Sequence, residues 1–71
     1  MNLIKNTLHV FPNKGKWGVK RTGSTKALRV FQYREIAYLY ANVIANEKTI
    51  IIVYNQDNNI AFTTNKLIIT E

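Results

Sequence analysis

The residues best suited to chemistry in this chain are cations interleaved with rings. His9, Phe11, Lys14, Lys16, Lys20 and Arg29 all fall in its first 34 positions. Lysine and arginine neutralise phosphates and release their counterions, and a phenyl or imidazole ring can stack on a base or sugar. The chemistry such a set can do is therefore nucleic-acid contact, provided one surface gathers it. Strand alternation supplies that surface. If Val10, Trp17, Val19, Leu28 and Val30 face a covering helix, the pleat puts His9, Phe11, Lys20 and Arg29 on the opposite face. Lys14 and Lys16 then stand at the adjoining turn. The plain alternative is a set of ordinary solvated cations on the open side of a sheet.

Charge is distributed to match. Lys5, Lys14, Lys16, Lys20, Arg21, Lys26, Arg29 and Arg34 precede the first acid, Glu35. From Glu35 onward Lys48 and Lys66 stand against Glu35, Glu47, Asp57 and Glu71, so the net charge of +6 comes from the first half. A field of that shape favours a polyanionic partner, DNA or RNA first among them.

Catalytic chemistry finds no support. His9 is the only histidine and there is no cysteine, which excludes thiolate and multi-histidine metal sites. A general acid or base needs an oriented partner. None stands near His9 in sequence, so a surface or sheet-packing role is the simpler reading. No phosphate-binding glycine loop and no Ser/His/Asp spacing is present. The expectation is a non-enzymatic protein without cofactor, metal or evident small-molecule substrate.

The elements that position these residues follow from periodicity. Residues 7–12 alternate, Pro12-Asn13-Lys14-Gly15 reads as a tight turn, and residues 16–22 alternate again, which makes a hairpin. Gly23-Ser24-Thr25-Lys26 is a second turn before a third strand at 27–31. The period then changes: Ile36, Leu39, Tyr40, Val43 and Ile44 mark one face of an amphipathic helix. With Gln32 as N-cap, Glu35 falls at N3, and Phe31 and Ile36 form a hydrophobic staple. The helix should end near Asn46. Residues 49–54 read as a buried strand, 55–59 as a polar loop and 60–64 as a fifth strand. The expected fold is α+β: one domain over 1–71, an antiparallel sheet of β-β-β-α-β-β order with the helix on one face. Residues 65–71 form an extra strand or an exchanged tail.

Local motifs carry a resemblance. His9-Val10-Phe11-Pro12, Gly15-Lys16-Trp17-Gly18-Val19-Lys20, the helix and the stretch from Ile51 to Ile60 together resemble the small bacterial proteins grouped as domain of unknown function 2188. That family has a His-Val-x-Pro strand before a Gly-x-Trp-x-Val-Lys strand, then an alanine-rich helix and a second hairpin. The likeness covers roughly residues 8 to 62. This chain departs from the pattern in its tyrosine-rich helix and its Asn-rich second hairpin turn. The resemblance implies an α+β fold and no activity.

Three further residues or runs bear on partners. Trp17 is read as a core anchor rather than a stacking platform, in register with Val19. Tyr38, beside Ala37 and Ala41, is either a contact residue or a lone exposed ring. Ile50-Ile51-Ile52-Val53-Tyr54 is apolar on both faces, while one helix covers only one. Leu67, Ile68 and Ile69 could supply the missing cover, in cis or by exchange in a homodimer. The leading expectation is a small module contacting nucleic acid through a basic sheet face. The alternative is a homodimeric structural or regulatory protein-interaction module. No apolar run reaches the roughly 18 residues of a membrane span and the first residues do not read as a signal peptide, so the expected location is cytoplasmic.

Overall fold

Lys14 and Gly15 turn the chain with φ of 53° and 81°. Positive φ at both central residues is what a two-residue hairpin of right-twisted strands demands. The turn joins β1 (Thr7–Asn13) to β2 (Lys16–Arg21). The computed structural model describes residues 7–65. Beyond the hairpin come β3 (Arg29–Phe31), α1 (Arg34–Ile44), β4 (Ile50–Tyr54) and β5 (Ile60–Asn65). Apart from Asn65, which ends β5, the expected extra strand or exchanged tail lies outside the described residues.

The five strands form one sheet in the order β3-β2-β1-β4-β5. It is mixed, not antiparallel. β1 pairs with β4 in parallel, with Thr7 beside Ile50 and Val10 beside Val53, whereas the other three pairings are antiparallel. The cause is the crossover. After β3 at one edge, α1 carries the chain back across the sheet, so β4 enters on the far side of β1 and runs in its direction. β4 is an inner strand flanked by β1 and β5, with Ile51 and Val53 buried on the helix side and Ile50 and Ile52 half-buried on the other.

One side of the sheet carries the core. Leu8, Val10, Val19 and Ile51 are wholly buried, with Val53 and Trp17 nearly so. α1 seals them with a face unlike the expected one. Ala37, Ala41 and Ala45 are buried, while Ile36, Leu39 and Val43 are 46%, 56% and 76% exposed. The sheet already presents large side chains, so small residues let the helix axis approach it closely. The flanking tyrosines then reach down on either side: Tyr40 onto Phe31 (centroids 5.2 Å) and Tyr38 edge-on to Phe62 (5.9 Å). The helix starts one residue later than the cap signal suggested. Tyr33 is the N-cap, without a side-chain cap bond, and Glu35 sits in the first turn. Phe31 packs against Tyr40 instead of stapling to Ile36.

The helix ends at Ile44, two residues short of Asn46. Asn46 organises the following turn instead: its Oδ1 accepts from Lys48 N (2.8 Å) and from Thr49 Oγ1 (3.1 Å). Thr49 is thereby satisfied although only 2% exposed. Among the described residues no helix is long and apolar enough to cross a membrane.

Candidate nucleic-acid interface

The side of the sheet away from α1 is built by register. His9 pairs with Lys20, Phe11 with Gly18 and Asn13 with Lys16. These pairs alternate with Val10–Val19 and Pro12–Trp17, which face the helix. β4 adds Ile50, Ile52 and Tyr54 to the open side, and β3 adds Val30 opposite Gly18. His9, Phe11, Lys16 and Lys20 therefore share one surface. Lys14 stands exposed at the hairpin tip beside it.

Arg29 does not join them, which corrects the register expected for the third strand. Arg29 pairs with Val19, and Phe31 with Trp17, so both lie on the helix side. The guanidinium of Arg29 sits 5.7 Å from the ring centroid of Tyr40. Leu28 and Val30, expected to face the helix, are 44% and 46% exposed. The reason is size: Phe31 fills space between Trp17 and Tyr40 that Val30 could not fill. Its choice of face forces Arg29 onto the same one. Arg21, paired with Leu8, also falls on the helix-side register and is exposed at the end of its strand.

At the centre of the open surface Phe11 lies on Gly18. A Cβ placed on Gly18 would stand 2.9 Å from Phe11 Cζ and 3.0 Å from Cε1. The absence of a side chain at position 18 thus lets the ring lie against the neighbouring strand. The ammonium of Lys20 sits 4.8 Å from the ring centroid. A cation over a ring face is held by the ring quadrupole at roughly 0.5–1 kcal/mol in exposed settings.

His9 ties β1 to β4 and to the turn that follows β2. Its Nδ1 is hydrogen-bonded to Tyr54 Oη (3.0 Å) and its Nε2 to Thr22 Oγ1 (2.7 Å). A neutral imidazole has one donor and one acceptor, and hydroxyls can meet either role. Burial, and then the nearby charge of Lys20, hold the His9 pKa below its usual value. At neutral pH His9 is therefore an uncharged strut. Sequence alternation put Gly18 and Thr22 in register with Lys16 and Lys20 but did not foresee their contacts with Phe11 and His9, and it missed Tyr54 as part of this surface. The available signal was alternation in β4, which puts Tyr54 in line with Ile50 and Ile52.

Electrostatics favour anions here. Of the acids among the described residues, Glu35 is on α1, Glu47 follows the helix and Asp57 is in the β4–β5 turn. None lies on the open sheet face. Trp17 takes the core role, at 9% exposure, with the Arg34 guanidinium 5.7 Å from its ring. Both border a cleft of about 530 Å³ at the hairpin end of the sheet, also lined by Tyr33, Glu35 and Gln56. Acid and base balance there, unlike on the open face. Among the described residues no group of three or more metal-ligating side chains is assembled.

A family model described as "Uncharacterized protein conserved in bacteria (DUF2188)" matches residues 8–65. The chain belongs to that family. The match takes in all five strands save Thr7 and the whole helix of this DUF2188 member. It includes every residue of the open face described above. No curated protein and no solved structure matches the chain.

Proposed function

We propose that this DUF2188 protein is a non-catalytic module that binds nucleic acid through the open face of its sheet. The observation that carries the reading is the Phe11–Gly18–Lys20 arrangement on a face that holds no acid among the described residues. A flat ring backed by a strand offers a stacking surface, and the mobile ammonium above it can swing to a phosphate when a base displaces it. Lys16 and Lys14 extend the cationic line to the hairpin tip, while His9 holds the strands in register without adding charge.

The cations contact phosphates and one ring contacts a base, so affinity depends steeply on salt and weakly on sequence. Arg29 takes no part, because it faces the helix side. Fluorescence anisotropy with labelled single-stranded and duplex probes at low salt tests the proposal. Lys16→Glu and Lys20→Glu together should abolish binding. Arg29→Glu should leave most of it. Phe11→Leu should weaken single-strand binding, since base–aromatic stacking contributes about 1–3 kcal/mol per base. Absence of any anisotropy change at high micromolar protein and low salt rejects the function; equal losses for Arg29→Glu and Lys20→Glu reject the assigned face.

A further inference from the structure

We propose that the outward face of α1 binds a second copy of this chain, helix against helix about a two-fold axis. α1 is apolar on two sides. Ala37 and Ala41, with the C-cap Ala45, are buried against the sheet, and Ile36, Leu39 and Val43 are exposed on the outward side. A surface helix normally turns polar residues outward, and one that is apolar all round is a buried helix. The outward stripe has helical spacing of three and four residues and contains no charge. On the same side of the molecule Phe62 is 43% exposed beside Tyr38, at the flank of the helix. α1 packs on β1, β2 and β3 and only slightly on β4, which leaves that flank open.

The area fits a dimer core. At about 100 Å² per apolar side chain, the exposed parts of Ile36, Leu39, Val43 and Phe62 amount to roughly 200–250 Å² per copy. A standard interface takes about 800 Å² from each partner, with an apolar centre and a polar rim. This stripe supplies the centre. A small chain with a thin core also gains most from such added burial.

The stripe is its own complement. In an antiparallel pair, Ile36 of one copy meets Val43 of the other, and the two Leu39 residues meet near the axis. Closed two-fold pairing of this kind needs one patch only. Glu35 stands at the start of the helix and Lys48 just past its end. Antiparallel axes bring each Glu35 towards Lys48 of the other copy. Two chains of +6 repel, but this arrangement turns both basic sheet faces outward, away from each other.

Sedimentation equilibrium on the full chain, from about 1 to 200 µM, tests the pairing, because that range brackets the affinities expected of a modest interface. The wild type should show twice the 8.2 kDa chain mass. Leu39→Asp and Val43→Asp should each raise the dissociation constant at least about tenfold, as truncating a central anchor does. Far-UV circular dichroism should be unchanged in both. Val43, the most exposed of the three, keeps the test valid if Leu39→Asp fails to fold. A wild-type monomer throughout the range overturns the proposal, as does a dimer of unchanged affinity in a folded variant.

Discussion

Gly18 and Phe11 should be strongly coupled, and a double-mutant cycle between them measures the packing on which the open face rests. The structure sets the scale. A Cβ at position 18 meets ring carbons at 2.9 and 3.0 Å and Ala27 Cβ at 3.3 Å. Ordinary contact begins near 3.4 Å, so Gly18→Ala requires the ring tip to move by about 0.5 Å, a shift whose rotamer cost is of order 0.5–1.5 kcal/mol. Replacing glycine by alanine inside a strand returns about 0.5–1 kcal/mol. The two effects oppose each other, and Gly18→Ala should change stability by less than about 1 kcal/mol. Gly18→Val differs because its branches occupy the volume of the ring. Overpacking of that kind costs about 1–3 kcal/mol. Phe11→Ala alone should cost about 2 kcal/mol, below the 3–5 kcal/mol of a fully buried ring, since Phe11 is partly exposed. Combined, the valine fills the space the ring has left. The double variant should then be no less stable than Phe11→Ala, giving a coupling of about 1–3 kcal/mol. Urea titration followed by Trp17 fluorescence reads each corner, since Trp17 is nearly buried beside position 18. Costs that add to within about 0.5 kcal/mol refute the reasoning: the ring would then not depend on the missing side chain.

Lys14 holds a left-handed backbone, φ 53°, which a residue with a Cβ adopts at a cost of roughly 1–2 kcal/mol. Lys14→Asn gives the turn its preferred Asn-Gly pair and should raise the melting temperature by about 4–8 °C per kcal/mol recovered; an unchanged or lower value in calorimetry contradicts this. His9 gives a pH dependence. Its folded-state pKa lies below the usual 6.5, so on acidification the unfolded chain takes up the proton first. Stability is therefore at its plateau above pH 6.5 and declines as pH falls from there through the folded-state pKa. Urea midpoints taken between about pH 7.5 and pH 5.5 should fall for the wild type and fall less for His9→Gln; a wild-type midpoint that rises on acidification contradicts the burial.

Periodicity of two made the first hairpin legible. Thr7 to Arg21 alternates cleanly around Lys14-Gly15, and one misplaced residue there would have put Leu8, Val10 and Val19 in water. The same rule failed at residues 28–31. Leu28-Arg29-Val30-Phe31 alternates in either register, with an apolar residue on each face. Only the ring of Tyr40, nine positions beyond Phe31, decides between them. That information is tertiary. The helix was legible as a helix but not in its orientation, because it has two apolar faces. The larger residues looked like the core face, whereas close approach to a sheet of bulky side chains selected the alanines. β4 carried a readable signal of another kind: its run of β-branched residues marks a strand, whatever covers its two faces.

These two departures change the functional reading together. Arg29 leaves the open face because Phe31 must enter the core beside Tyr40, and Tyr40 is in reach because α1 faces the sheet with its alanines. The same rotation of α1 that lets Tyr40 receive Phe31 turns Ile36, Leu39 and Val43 to solvent. The open face is thus left with Lys14, Lys16 and Lys20 as its line of charge along one hairpin, while the apolar stripe of α1 lies on the other side of the molecule. That line of charge and the α1 stripe are separated by the full thickness of the sheet and helix. A pairing of copies through the helices and a contact with a polyanion through the sheets therefore do not compete for surface. Leu39→Asp should disrupt the first without weakening the contact of a single chain with a short probe, and Lys20→Glu should do the reverse. If one substitution disables both, the two surfaces are not independent, and the separation inferred from the orientation of α1 is wrong.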